Sequence, residues 1–193
     1  MWEVAKNVGG TTIGHYEVGS GGDSSVTFGS TSGDSRIAQT YDHLVLKGSS
    51  RFDNSGSTAA YEWDGIRLNE DTSNNYRYQQ FYGESPSTEA SAASTYSSMF
   101  QYTAGYNART GVFGNWTMWI PMYTSNKYKQ IIGDASVGTG YNNSGNNGSI
   151  TSYTSYSWES TAAITQIAIG PPGAGGSDYV EHTCFTLYGL TMS

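Results

Sequence analysis

The sequence has little charge, one cysteine and no long apolar run. Charged residues make up 13% of its 193 residues, nine Lys and Arg against sixteen Asp and Glu, for a net charge of −7. So few cations on an acidic chain argue against nucleic-acid binding, which rests on neutralising phosphates. The lack of an apolar run of about 18 residues excludes a transmembrane helix, so no membrane insertion is expected. The opening Met1-Trp2-Glu3-Val4-Ala5-Lys6 lacks the basic-then-apolar order of a secretory signal. Without that signal, the sequons at Asn115, Asn142 and Asn147 read as products of an Asn/Ser/Thr-rich composition. The single Cys184 excludes an intramolecular disulfide framework, and its place in an alternating strand marks it as a small core residue rather than a nucleophile.

Catalytic patterns are equally sparse. His15, His43 and His182 lie far apart, in no metal-ligand spacing. There is no GxSxG elbow, and no phosphate-binding glycine loop follows a strand. A Ser/His/Asp site would have to assemble in space. Two carboxylate pairs meet the minimum for glycoside hydrolysis, Glu62 with Asp64 on one strand face and Glu70 with Asp71, but both read as a solvated strand edge and a loop. The oxygen-rich Asn69–Asn75 stretch is a candidate for Ca²⁺ without the order or the glycine of an EF-hand. No catalytic residue, metal site or cofactor is assigned.

What the chain does have is 16 Tyr, 5 Trp and 25 Gly, set among Ser, Thr and Asn. That mix suits short strands with aromatic and hydroxyl faces joined by Gly/Asn/Ser turns, and disfavours helix. Period-2 alternation predicts strands at 25–28, 41–52, 62–68, 76–82, 113–123, 127–133, 151–159, 163–169 and 183–188. Trp116, Met118, Ile120 and Met122 share one face of their strand and Trp119 and Tyr123 the other, so this strand is expected to be central and covered on both sides. The last two strands flank a Pro/Gly-rich loop, 171–178, and are expected to close the domain as a pair. Pro86-Ser87-Thr88-Glu89 could cap one helical turn over Ala90–Ala93, the only helix signal. The expected fold is all-β, an antiparallel β-sandwich or jelly roll, with an up-and-down barrel as the alternative. Residues 1–22 read as an N-terminal arm or hairpin and 23–193 as the sandwich domain, divided by the joint Gly19-Ser20-Gly21-Gly22.

Aromatic clusters among Ser and Thr are the most suggestive surface. Tyr76, Tyr78, Phe81 and Tyr82 form one, and Tyr153, Tyr156 and Trp158 another. Such rings stack on sugars or build protein interfaces, although alternation must bury about half of them. The binding candidates are Tyr76, Tyr78, Tyr153, Tyr156 and Trp158. The candidate docking residues are Trp2, Val4, Ile13 and Tyr16 of the arm.

The order of several segments carries a resemblance. Ser25-Val26-Thr27-Phe28 is followed by Tyr41-Asp42-His43-Leu44-Val45-Leu46, ending near Arg51. Leu68-Asn69-Glu70-Asp71 then precedes Asn75-Tyr76, and the chain closes on Phe185-Thr186-Leu187-Tyr188-Gly189-Leu190. Over residues 25–190 this resembles small structural proteins of tailed bacteriophages, notably marine ones. In those proteins an S-V-T-F strand, a Y-x-x-L-x-L strand, an I-N-G-D…N-Y segment and a terminal F-x-L-Y-G-I recur. Glu70 stands where that motif has Gly, so the turn there is expected to differ. The resemblance implies a non-enzymatic virion surface protein. The expected role is capsid decoration or cement, docked on the major capsid protein as a homo-oligomer, a trimer being favoured. The alternatives are a tail-fibre module that binds a host receptor or surface glycan, and a glycan-active enzyme. A first strand so near Met1, with no heptad shaft before it, favours the compact docking protein.

Overall fold

The computed structural model describes residues 10–53, 59–84, 87–138, 149–171 and 178–192. These contain fourteen strands and no helix. In chain order they are β1 (Gly10–Glu17), β2 (Val26–Gly29), β3 (His43–Ser50), β4 (Phe52–Asp53), β5 (Tyr61–Leu68), β6 (Tyr76–Glu84) and β7 (Ser87–Tyr96). The remainder are β8 (Met99–Ala104), β9 (Gly114–Pro121), β10 (Lys129–Gly138), β11 (Ser149–Trp158), β12 (Gln166–Gly170), β13 (Asp178–Tyr179) and β14 (Cys184–Leu190). An eight-stranded sheet runs β1-β14-β3-β9-β10-β11-β6-β7 and a four-stranded one β2-β12-β5-β8, with β13-β4 as a small third ladder. Neighbours within each sheet are antiparallel. The architecture is an all-β antiparallel sandwich.

Alternation places the core. Leu44 and Leu46 of β3, Trp116, Met118 and Ile120 of β9, Ile131, Ala135 and Val137 of β10, and Phe185 and Leu187 of β14 all point inward and are buried. Each such large side chain removed from water contributes about 1.5–3 kcal/mol. The small sheet supplies Ile66, Leu68, Ile167 and Ile169 from the other side. Gly48 is directly opposite Trp116 across the β3–β9 ladder. A Cβ there would stand 2.3 Å from the indole, so the ring lies flat over the glycine backbone.

Five expectations are corrected. The strands around the Pro/Gly loop are not partners, because β12 lies between β2 and β5 in the small sheet and β14 between β1 and β3 in the large one. The loop's residues 172–177 are outside the described set, and the chain beyond them forms β13 of the third ladder before β14. The Ala90–Ala93 helix is instead part of strand β7, where tertiary pairing with β6 overrides a weak local cap signal. β9 is central but covered on one face only, with Trp119 exposed on the other. Met122 leaves its expected face because its φ of 49° turns the chain, exposing Met122 and burying Tyr123. Cys184 is half-buried on the outer face of β14 rather than in the core, and burial raises its thiol pKa.

The expected arm is in part a strand. Gly10–Glu17 pairs along β14 at the end of the large sheet, with a bulge between Thr12 and Gly14. At the bulge Ile13 packs against the core, while Tyr16 stays exposed and donates a hydrogen bond to Asp23 at 2.9 Å. Trp2 and Val4 lie outside the described residues.

The Asn69–Asn75 loop is a structural knot. Asn69 Oδ1 accepts from the Thr165 and Gln166 amides at 2.8 and 3.1 Å, and its Nδ2 donates to the Ala163 carbonyl at 2.8 Å. Asp71 accepts from the Ser73 amide, Asn75 Nδ2 and Trp158 Nε1 at 2.8–2.9 Å, and its carboxyl lies below the ordinary range because these bonds outweigh the opposing burial cost. The side-chain oxygens of Asn69 and Asp71 are thus engaged by the chain. Asn69 and Glu70 both have positive φ, 52° and 59°. Asn tolerates that region readily, and Glu70 occupies a conformation that favours glycine. Asn69→Ala is expected to cost about 2 kcal/mol in urea unfolding, from unpaired amides and the strained backbone. A loss below about 0.5 kcal/mol would show that the knot does not hold the two sheets' connections.

Candidate ligand-binding site

The two sheets differ in width, and the site follows from that mismatch. Eight strands face four, so the inner face of β6 and β7 continues past the small sheet's last strand, β8. Along β6, inward positions alternate as Tyr76, Tyr78, Gln80 and Tyr82. Tyr76 is sealed in the core, whereas Tyr78 and Tyr82 are half-buried where the cover ends. β7 sets Ala93, Ser91 and Glu89 opposite Tyr78, Gln80 and Tyr82. The small Ala93 and Ser91 keep the floor open beside Tyr78 and Gln80. Phe100 and Tyr102 of β8 and Trp63 of β5 form the facing wall.

The result is a cavity of about 460 Å³ lined by Trp63, Tyr78, Gln80, Tyr82, Tyr96 and Tyr102, with Phe100 and three serines completing it. Its rings brace one another edge-to-face. Tyr78 meets Phe100 at 4.9 Å and Tyr96 at 5.4 Å, near right angles, and Trp63 stands 5.7 Å from Phe100. Each such pair contributes about 0.5–1.5 kcal/mol beyond burial, which makes the wall rigid before any ligand arrives. Trp63 and Tyr96 remain 45% and 43% exposed at the mouth of the cavity.

The polar groups are hydroxyls and one amide. Tyr102 donates to Gln80 Oε1 at 3.4 Å and Tyr82 to Glu89 Oε2 at 2.6 Å. The Glu89 carboxylate holds the Tyr82 hydroxyl up to about 12, and burial raises that of Tyr102. Tyr61 hydrogen-bonds Glu84, with burial the larger cause of its raised pKa. The Tyr61, Tyr82 and Tyr102 phenols are therefore neutral donors around pH 7.

The sequence-predicted binding residues are divided among three environments. Tyr78 lines the cavity. Tyr153 lies on the opposite face of the large sheet, 54% exposed and in register with Phe81. Tyr76, Tyr156 and Trp158 are each about 1% exposed, which corrects their assignment as surface groups. Strand parity is the reason: in β11 the even positions 152 to 158 point inward and 153 points out. Their polar atoms are satisfied within the chain, Trp158 Nε1 by Asp71 and the Tyr156 hydroxyl by the Phe100 carbonyl. Tyr76 stacks on Trp158 at 6.4 Å. Trp63, Gln80, Tyr96, Phe100 and Tyr102 went unrecognised. The signal for Gln80 was its place between Tyr78 and Tyr82 on the even face of β6.

Three of the four paired carboxylates, Asp64, Glu70 and Asp71, accept hydrogen bonds within the chain. Asp64 is fully buried on the face of β5 opposite Trp63. Its Oδ2 accepts from Ser50 Oγ and Trp116 Nε1, both at 2.5 Å, and its Oδ1 from the Tyr179 hydroxyl at 2.6 Å. Burial pushes its pKa up to about 6 despite these three bonds. Glu70 is exposed, bound to Gln166 Nε2 at 3.1 Å. Among the described residues no group of three or more His, Cys, Asp or Glu is placed to hold a metal ion. Comparison with protein-family models, with curated proteins and with solved structures gives no match.

Proposed function

We propose that this protein is a non-enzymatic binding module of a virion surface, and that its aromatic cavity takes a sugar of a host-surface glycan. The observation that carries the reading is the preformed ring-walled cavity left by the unequal sheets, open at Trp63 and Tyr96 and furnished with neutral hydroxyls and an amide. Carbohydrate sites need that combination: ring faces for the apolar C–H side of a sugar, and a few fixed polar groups for its hydroxyls. The virion setting rests on the sequence resemblance. Among the roles it implies, the cavity favours recognition over cementing.

The docking reading keeps one observation of its own. The outward face of the large sheet carries the register pairs Trp119–Ile132 and Phe81–Tyr153, exposed by 37–58%. A face of this kind suits a protein partner such as a major capsid protein.

One experiment separates the two. Purified protein is applied to a glycan array, with Trp63→Ala and Tyr96→Ala as cavity variants and Trp119→Ser and Tyr153→Ser as outer-face variants. Glycan binding is expected, reduced about tenfold or more by either cavity change and unchanged by the outer-face changes. Loss confined to the outer-face variants, or no glycan retained at all, would overturn the cavity reading.

A further inference from the structure

We propose that Gln80 is the specificity-determining residue of this cavity, and that its carboxamide reads two adjacent hydroxyls of an uncharged sugar. This rests on the cavity being a saccharide site. Gln80 is only 2% exposed, yet it lines the cavity between Tyr78 and Tyr82. An aromatic or aliphatic side chain would continue the face of β6 at no polar cost, whereas a buried amide is costly unless paired. The one hydrogen bond of its side chain among the described residues comes from Tyr102 at 3.4 Å, at the long limit of useful geometry. Gln101 shows the contrast: both of its amide atoms are sealed from solvent and unpaired, whereas no atom of Gln80 is sealed without a partner. The Gln80 carboxamide therefore keeps hydrogen-bonding capacity toward the cavity.

The chemistry of that group selects the ligand. A carboxamide offers two N–H donors and an acceptor oxygen side by side. A vicinal diol, which donates from one hydroxyl and accepts at the next, is its complement. A carboxylate ligand is not. Among the described residues no Lys, Arg or His lines the cavity, and the carboxyl groups at its margin are Glu84, held by Tyr61, and Glu89, held by Tyr82. A sialic or uronic acid would bring a further negative charge to an acidic chain with no cation to meet it. Small residues at Ser91, Ser97 and Ser98 leave room beside the amide and add hydroxyls to the wall.

The test uses the full chain, a panel of neutral mono- and disaccharides and their sialylated or uronic counterparts. Binding is read by calorimetry and by Trp fluorescence. Two variants are compared with the parent and with Trp63→Ala: Gln80→Leu, and the isosteric Gln80→Glu, which keeps the shape and removes the donor. The expected result is binding of a neutral saccharide, weakened about tenfold or more in both Gln80 variants, with circular dichroism unchanged. Should Gln80→Leu fail to fold, Gln80→Glu carries the comparison. Parent-like affinity in the Gln80 variants, with loss in Trp63→Ala, would overturn the role of Gln80 while leaving the cavity as the site. Preference for acidic sugars would overturn the ligand class alone. No saccharide bound by the parent would remove both this inference and the reading beneath it.

Discussion

Asp64→Ala is expected to destabilise the protein by about 3–5 kcal/mol, measured as a shift in urea midpoint at constant slope. The carboxylate is the hub of the buried polar core, with Ser50, Trp116 and Tyr179 all donating to it and Ser50 paired in turn with Thr103 at 2.6 Å. Removing it takes the partner from the Tyr179 hydroxyl and leaves Trp116 Nε1 and Ser50 Oγ with only the bonds to Ser50 at 3.3 Å and to Thr103 at 2.6 Å, and an unmet buried donor costs about 1–3 kcal/mol. Asp64→Asn should be far milder. Its oxygen can keep Ser50 and Trp116, and its amide can donate to Tyr179, whose hydroxyl turns to accept. If Asp64→Ala loses less than about 1 kcal/mol, the network is not a stabilising hub.

The same residue sets a pH dependence with a definite sign. Burial raises its folded-state pKa from 3.8 to about 6. The folded protein therefore holds a proton that the unfolded chain releases between those values. The associated stability is fully present below about pH 4, is lost as pH rises through 6, and is flat above. Its size is on the order of 3 kcal/mol, from about 1.4 kcal/mol per pH unit. The difference in stability between Asp64→Asn and the parent should change across pH 4–6 by that order and stay constant from pH 7 to 8. A difference flat across the whole range would show that Asp64 ionises freely in the fold.

Gly48→Val is expected to abolish stable folding or to cost at least about 3 kcal/mol, read by thermal unfolding. The added Cβ would sit 2.3–2.7 Å from three atoms of the Trp116 indole, one of them Nε1. Overpacking alone costs about 1–3 kcal/mol. Here the displaced indole also withdraws a donor from Asp64, so the two sites couple. Gly48→Ala combined with Asp64→Ala should lose less than the sum of the single changes, because each disturbs the same bond. Strict additivity would mean that the ring moves without leaving Asp64.

Strand content was legible because alternation is local. Leu44 and Leu46 of β3, Ile66 and Leu68 of β5, and Phe185 and Leu187 of β14 follow their expected faces into the core. The exceptions each have a non-local cause. β7 is exposed and rich in Ala and Ser, and becomes a strand by pairing with β6. Asp64 looked like a solvated carboxylate because sequence records its parity with Ile66 but not the donors that wait for it from β3, β9 and β13. Arg51 was legible only as a strand's end, yet its guanidinium donates to four carbonyls between Tyr106 and Val112 and fixes that loop.

By itself, then, the sequence determined an all-β chain and the inward face of most strands, since those follow from period-2 hydrophobicity. It also determined that aromatic rings exceed what alternation can bury. Which rings are buried, and where the rest gather, was decided only by the tertiary structure. The cavity exists because eight strands face four, and a difference in sheet width is a property of strand order, which no local pattern records. Trp63, Gln80 and Tyr96 come from three strands of two sheets, and only the fold brings them to one wall.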